Sequence, residues 1–259
     1  SPLHRVGHRF PVYTHVGPIR DKSGNIIGAI EVFRDISAEE KLHRTELKFR
    51  KLVKQYISET TYETVWNAVS QDSDMSASMK DLTIMFTDIV SFTAMSEQHS
   101  ADKIVEMLNY FFSAVSHIVR KYTGDIDKFI GDCAMSVFID AQDAVNAAKE
   151  IIHTGLPVLN KALVSKQLPE INPRIGINSG NLVHGNIGSS ERKDMTVIGD
   201  VVNTASRVQG EADPGNFLIT ENTLARLDHP EEFVFAKEIL LKGKSHPIRL
   251  YRLGGYSTT

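Results

Sequence analysis

The segments LTIMFTD (residues 82–88) and IDKFIGDCAM (residues 126–135) decide how this chain is read. The first is a short apolar run with high β-propensity that ends on a carboxylate, Asp88. The second is a hairpin whose Gly131-Asp132 pair forms the turn. Between them lies a helical pattern with Ile104, Leu108, Phe111, Val115, Ile118 and Tyr122 on one face, capped by Ser100 and stopped at Gly124. Asp88 at a strand end and Asp132 in a neighbouring turn are two hard oxygen ligands of the kind that hold Mg²⁺ or Mn²⁺. Taken alone, such a pair is more often structural than catalytic.

Working outward, Ala141 to about Thr154 reads as a helix that Gly155-Leu156-Pro157 bends or ends. Arg174 to Gly180 is a strand leading into a glycine-rich polar excursion, Gly185 to Asp194. Asp200 starts a helix that carries Asn203 and Arg207 four residues apart on one face. Short strands close the chain at 216–220, 232–235 and 247–251. The order βαββαβ predicts an α+β, ferredoxin-like sandwich over residues 78–259.

Upstream, Arg9–Val16 and Gly28–Ile36 alternate as strands around the turn cluster Arg20–Asn25. Ser37 and Glu40 form a capping box. The helix they start places Leu42, Thr45, Phe49, Leu52 and Tyr56 on heptad a and d positions, the pattern of a short parallel coiled coil. Ser58 caps a second helix through Tyr62, Val65 and Trp66, and the polar stretch Ser70–Ser78 marks a domain boundary. Three regions result: 1–36, a helical linker at 37–77, and 78–259.

Composition narrows the classes. The 259 residues are 41% hydrophobic, enough for a packed core, and the net charge of -3 gives no case for nucleic-acid binding. A single cysteine, Cys133, excludes an internal disulfide and fits a cytoplasmic setting. No apolar run reaches membrane-span length. The chain begins Ser1-Pro2, as a fragment of a longer protein does.

Three blocks carry a resemblance: FTDIVSFT (86–93), DKFIGDCAMSVF (127–138) and MTVIGDVVNTASRV (195–208) are similar to the catalytic core of class III nucleotidyl cyclases, in the same order. The resemblance runs from about Asp81 to Leu253. It implies that Asp88, Asp132 and the carbonyl of Ile89 hold two divalent ions, Mg²⁺ or Mn²⁺. It implies that Lys128 and Thr196 read the purine, Asn203 positions the ribose, Arg207 binds the α-phosphate and Lys242 holds the terminal phosphates. Lys128 stands where adenylate cyclases carry lysine and guanylate cyclases carry glutamate. A lysine donor suits the N1 acceptor of adenine, so the expected substrate is ATP and the product cyclic AMP. The family builds its site between two chains, with Asp88 and Asp132 from one and Lys128, Thr196, Asn203 and Arg207 from the other. This chain has both sets, so a homodimer is expected. The segment PIRDKSGNIIGAIEVFRDIS (18–37) resembles the last hairpin of a PAS sensor domain, without the glutamine usual in flavin-binding members.

Three other readings compete. A guanylate cyclase is opposed by Lys128 and Thr196. A diguanylate cyclase is opposed by Ile-Gly-Asp-Cys-Ala in place of Gly-Gly-Asp/Glu-Glu-Phe. A non-catalytic dimeric sensor module is opposed by the presence of every motif residue. Cys133 follows the metal aspartate where alanine is usual, and reads as a small buried hydrophobe rather than a redox switch.

Overall fold

The computed structural model describes residues 7, 9–71, 77–240 and 246–255, in two compact units, Ser1–Tyr56 and Ile57–Thr259. In the first unit β1 (Val12–Arg20) and β2 (Ile26–Asp35) pair antiparallel. The turn between them is closed by Asp21, whose carboxylate accepts from the Ser23 and Asn25 amides. The helix α1 (Ser37–Tyr56) follows. Asp35 caps its first amide by accepting from Ser37 N–H, and Glu40 pairs with Arg44 four residues on. The expected Ser37/Glu40 box is thus replaced by a cap from the residue two before the helix. No residue of α1 is buried, and Leu42, Phe49, Leu52 and Tyr56 leave their heptad seam exposed.

The second unit opens with α2 (Glu59–Gln71), capped as expected by Ser58, whose Oγ accepts from Thr61 N–H. Next come β3 (Ser78–Ile89), α3 (Phe92–Gln98), α4 (Ala101–Lys121), β4 (Asp125–Ile130) and β5 (Cys133–Phe138). They are followed by α5 (Ala141–Glu150), a π-helical turn at Ile151–Gly155, α6 (Leu156–Ser165) and β6 (Pro173–Gly188). The strands lie in the order β4-β5-β3-β6, each pair antiparallel, which is the expected ferredoxin-like βαββαβ arrangement. The rest of the chain extends this sheet. β7 (Lys193–Ile198) folds back on the far half of β6, so the polar excursion is a β-hairpin. After α7 (Asp200–Gly210), β8 (Phe217–Thr220) joins β6 in parallel. A single-turn α8 (Glu221–Leu224) and a 3-10 turn at Pro230–Glu232 lead to β9 (Phe233–Ile239) and β10 (Ile248–Leu253), which complete the edge.

β3 is covered on both faces, which is why it reads as a continuous apolar run rather than an alternating one. Met85 and Ile89 pack under α4 and α5 with Met107, Phe111, Val115 and Val145. Leu82, Ile84 and Phe86 point the other way, toward Leu182 and Ala205. By the same two-residue period Asp88 faces the α7 side. Two expectations shift here. The helix stop after α4 is Thr123, in the left-handed region at φ 56, not Gly124. Gly124 is needed because a Cβ there would meet the Phe138 ring at 2.3 Å. The second helical pattern, expected to bend or end at Gly155-Leu156-Pro157, is interrupted by the π turn at Ile151–Gly155 and then continues to Ser165.

α7 lies against β6, and a buried polar network fixes it there. Asn178 donates to the Val201 carbonyl at 3.0 Å and accepts from Thr220 Oγ1 at 2.7 Å. Gly176 permits the close approach, since a Cβ would stand 2.1 Å from the Gln209 backbone nitrogen. Backbone cannot yield as a flexible side chain can. Gly176→Ala is therefore expected to destabilise the fold by about 1–3 kcal/mol and to displace α7, read as a lower denaturation midpoint by circular dichroism. An unchanged midpoint would contradict this packing.

Candidate active site

The sequence-predicted residues fall into three groups. The first forms where β3 ends beside the turn between β4 and β5. That turn is two residues long, with Gly131 at φ 64, the backbone that tight hairpin loops demand. It holds Asp132 against Asp88 and within hydrogen-bonding reach of the Ile89 amide. Burial, and then the Asp88 charge, push the Asp132 carboxyl above the ordinary carboxylate range. Two carboxylates packed this way are costly without a cation between them. The all-oxygen set fits a hard divalent ion, with water or phosphate oxygens completing the shell. Among the described residues there is no group of three or more His, Cys, Asp or Glu side chains placed for a metal.

Two neighbours of this pair were not read from the sequence. Arg174 lies directly across from Asp88 in the β3–β6 register, and its Nη2 donates to Asp88 Oδ2 at 3.2 Å. Gln209 Nε2 donates to the same oxygen at 3.0 Å from α7. The Arg174 Nε is buried and has no hydrogen-bond partner. Nothing in RIGIN marks Arg174 as a site residue until strand register is known. Cys133 is half-buried, and burial, followed by the Asp88 and Asp132 charges, pushes its thiol up to about 12. It stays a neutral thiol, in keeping with a packing role.

The second group is Lys128 and Thr196. They come from β4 and β7, strands that do not pair, yet both reach one carboxylate oxygen. Thr196 Oγ1 donates to Asp127 Oδ2 at 3.1 Å, and Lys128 Nζ lies 3.5 Å from the same atom. The third group is Asn203 and Arg207, both exposed on α7, while Thr204, Ala205 and Val208 on its opposite face are buried. Lys242 lies outside the described residues. A cavity of about 410 Å³ reaches Asp127, with Thr60, Lys80, Asp125, Phe138 and His184 in its walls, but includes neither Asp88 nor Asp132. Both carboxylates are half-buried, with 18% of the Asp88 side chain exposed. Among the described residues no helix is long and apolar enough to cross a membrane.

The carboxylate geometry makes a stability prediction. A carboxyl with a raised folded pKa holds its proton more tightly in the native state. Its repulsion is absent at acid pH and appears as pH rises past the ordinary carboxylate range. In metal-free protein at neutral pH, Asp132→Asn is expected to raise the melting temperature, with the difference shrinking toward pH 4. A variant that melts lower at neutral pH would mean the pair is not repulsive.

With this geometry in view, the comparisons with known proteins are informative. Residues 75–255 match the family model of the adenylate and guanylate cyclase catalytic domain. An adenylate cyclase of Anabaena cylindrica is 35% identical over 187 residues, a match that covers 68% of this chain and 37% of that protein. The chain thus spans little more than a third of that relative's length. The adenylyl cyclase CyaB of P. aeruginosa superposes with a TM-score of 0.63 at 33% identity, covering 70% of this chain and 97% of that one. The guanylyl cyclase Cya2 gives the same TM-score at 26% identity, covering 71% and 96%. An antiparallel βαββαβ sheet, paired carboxylates at the end of its central strand, and a family match over most of the chain place this protein in the adenylate and guanylate cyclase catalytic-domain family.

Proposed function

We propose that this chain is the catalytic part of an adenylate cyclase, forming 3′,5′-cyclic AMP and pyrophosphate from ATP in a homodimer, under the control of an upstream PAS-like sensor acting through the 37–77 helices. The observation that carries the choice of nucleotide is the convergence of Lys128 and Thr196 on Asp127. A cationic donor matches the lone pair at adenine N1, whereas guanine presents N–H there. The likeness to Cya2 favours guanylate cyclase as a second reading, and Lys128 opposes it.

The family's division of labour assigns the remaining roles. Asp88, Asp132 and the Ile89 carbonyl would hold two divalent ions. Bound there, such ions lower the pKa of the ribose 3′-hydroxyl and neutralise the triphosphate. The 3′-oxygen, its proton lost, bonds to the α-phosphorus while the bond to the bridging oxygen of pyrophosphate breaks. Arg207 of the other chain binds the charge that grows on the α-phosphate, and Asn203 fixes the ribose for in-line attack. Arg174, beside Asp88, would add a further cationic contact for a phosphate oxygen. A half-buried carboxylate pair on one face and an exposed Asn203–Arg207 face on another suit two halves that complete one another across a dimer. The exposed heptad seam of α1 gives a second surface for pairing two chains in parallel.

The test is product identification from ATP and from GTP with Mg²⁺ and with Mn²⁺, beside an Asp132→Ala control. Cyclic AMP from ATP, lost in the control, is expected. Asn203→Ala and Arg207→Ala are expected to lower kcat on the order of a hundredfold or more with smaller changes in KM. Cyclic GMP as the dominant product would move the protein to the second reading. No product from either nucleotide would refute catalysis.

A further inference from the structure

Asp127 has no part in the division of labour above, yet its surroundings are unusual. The β4–β5 register slips between Ile126, opposite Ser136, and Lys128, opposite Met135, so Asp127 is the extra residue of a β-bulge. Without a bulge, neighbours on a strand point to opposite faces. Here Asp127 and Lys128 are consecutive and their side chains meet at 3.5 Å. A bulge re-aims side chains in just this way, and bulges gather beside active sites. The Asp127 side chain is only 7% exposed, so its carboxylate has been taken out of water and depends on the donors it finds. Burial pushes its carboxyl up, while the Lys128 charge and the Thr196 hydrogen bond favour the ionised form.

The consequence lies in hydrogen-bond direction. A threonine hydroxyl has one proton and two lone pairs, and can meet either a donor or an acceptor. An ionised carboxylate only accepts, so the Thr196 proton is committed to Asp127 Oδ2. What Thr196 still offers a base is lone pairs. Adenine carries an amino donor at position 6, and guanine carries a carbonyl acceptor. Lone pairs suit the first and repel the second.

Resting on the adenylate reading, we propose that Asp127 is a positioning residue for nucleotide specificity: it fixes Thr196 as an acceptor for the adenine 6-amino group and steers Lys128 toward N1. Discrimination between ATP and GTP then comes from three residues, not from Lys128 alone. A site that leaves a buried polar group mismatched rejects the wrong ligand strongly. Asp127→Leu is close in size but has no oxygen to accept from Thr196, which frees the hydroxyl proton to face guanine O6.

The experiment measures kcat/KM for ATP and GTP on the full chain with Mg²⁺. Wild type is expected to prefer ATP. Asp127→Leu is expected to lower the ATP:GTP ratio about tenfold or more, mainly through a higher KM for ATP, with cyclic GMP formation rising. Asp127→Glu should recover part of the ratio. A merely structural role would lower both activities together and leave the ratio unchanged, which overturns the inference while the adenylate reading stands. A wild type that does not prefer ATP overturns both. If Asp127→Leu does not fold, Thr196→Ser and Thr196→Val carry the test. Serine keeps the hydroxyl and should keep the ratio, valine should lose it, and equal ratios overturn the inference.

Discussion

Two carboxylates, Asp88 and Asp132, are held side by side against their own repulsion, and the rest of the second unit is arranged around that constraint. Isolated side chains would swing apart. Asp88 cannot, because β3 is buried on both faces and bonded on both edges, by β5 on one side and β6 on the other. Asp132 cannot, because a two-residue turn built on Gly131 fixes its backbone. The surrounding donors are sized to the problem: Arg174, Gln209 and the Ile89 amide blunt the charge without cancelling it. The strained all-oxygen pair fits a hard divalent cation. It is a stability cost kept in place by secondary structure, the pattern expected where function competes with folding.

The β4–β5 hairpin concentrates the remaining chemistry. Asp132 occupies its tip, and Lys128 lies four residues back on the same strand. Asp127 sits between Lys128 and Asp125, whose carboxylate accepts from Thr60 N–H at the start of α2. Lys128, Asp127, Asp132 and the contact to the unit's entry helix thus share one short element. In a homodimer each hairpin would serve two nucleotides, with metal for one and base recognition for the other. The relative placement of the two chains then sets whether either site is complete.

Much of this was legible in the sequence, for identifiable reasons. The order of elements follows from hydrophobic period and turn residues, which are local. The ferredoxin-like sheet follows from that order. Asp88 and Asp132 were readable because each sits at a position its own neighbours define, a strand end and a Gly-Asp turn. Asn203 and Arg207 share an exposed face of α7, as helical spacing alone predicts. What escaped depends on non-local geometry. Arg174 stands beside Asp88 only because β6 pairs with β3 in a register that sets it directly across. Asp127 was masked by the alternation rule, which sends it away from Lys128, and one inserted residue reverses that rule. The misplaced helix stop at Gly124 was a packing effect: the glycine answers to Phe138, and Thr123 takes the strained backbone.

The central claim is that one chain supplies metal carboxylates and its partner supplies the transition-state residues. It is tested most directly by mixing Asp88→Ala protein with Arg207→Ala protein, each inactive alone, under conditions where subunits exchange. Random pairing makes half of the dimers mixed, each with one intact site of two, so the account predicts recovery of roughly a quarter of wild-type activity. Mixed dimers that form and remain inactive would contradict it.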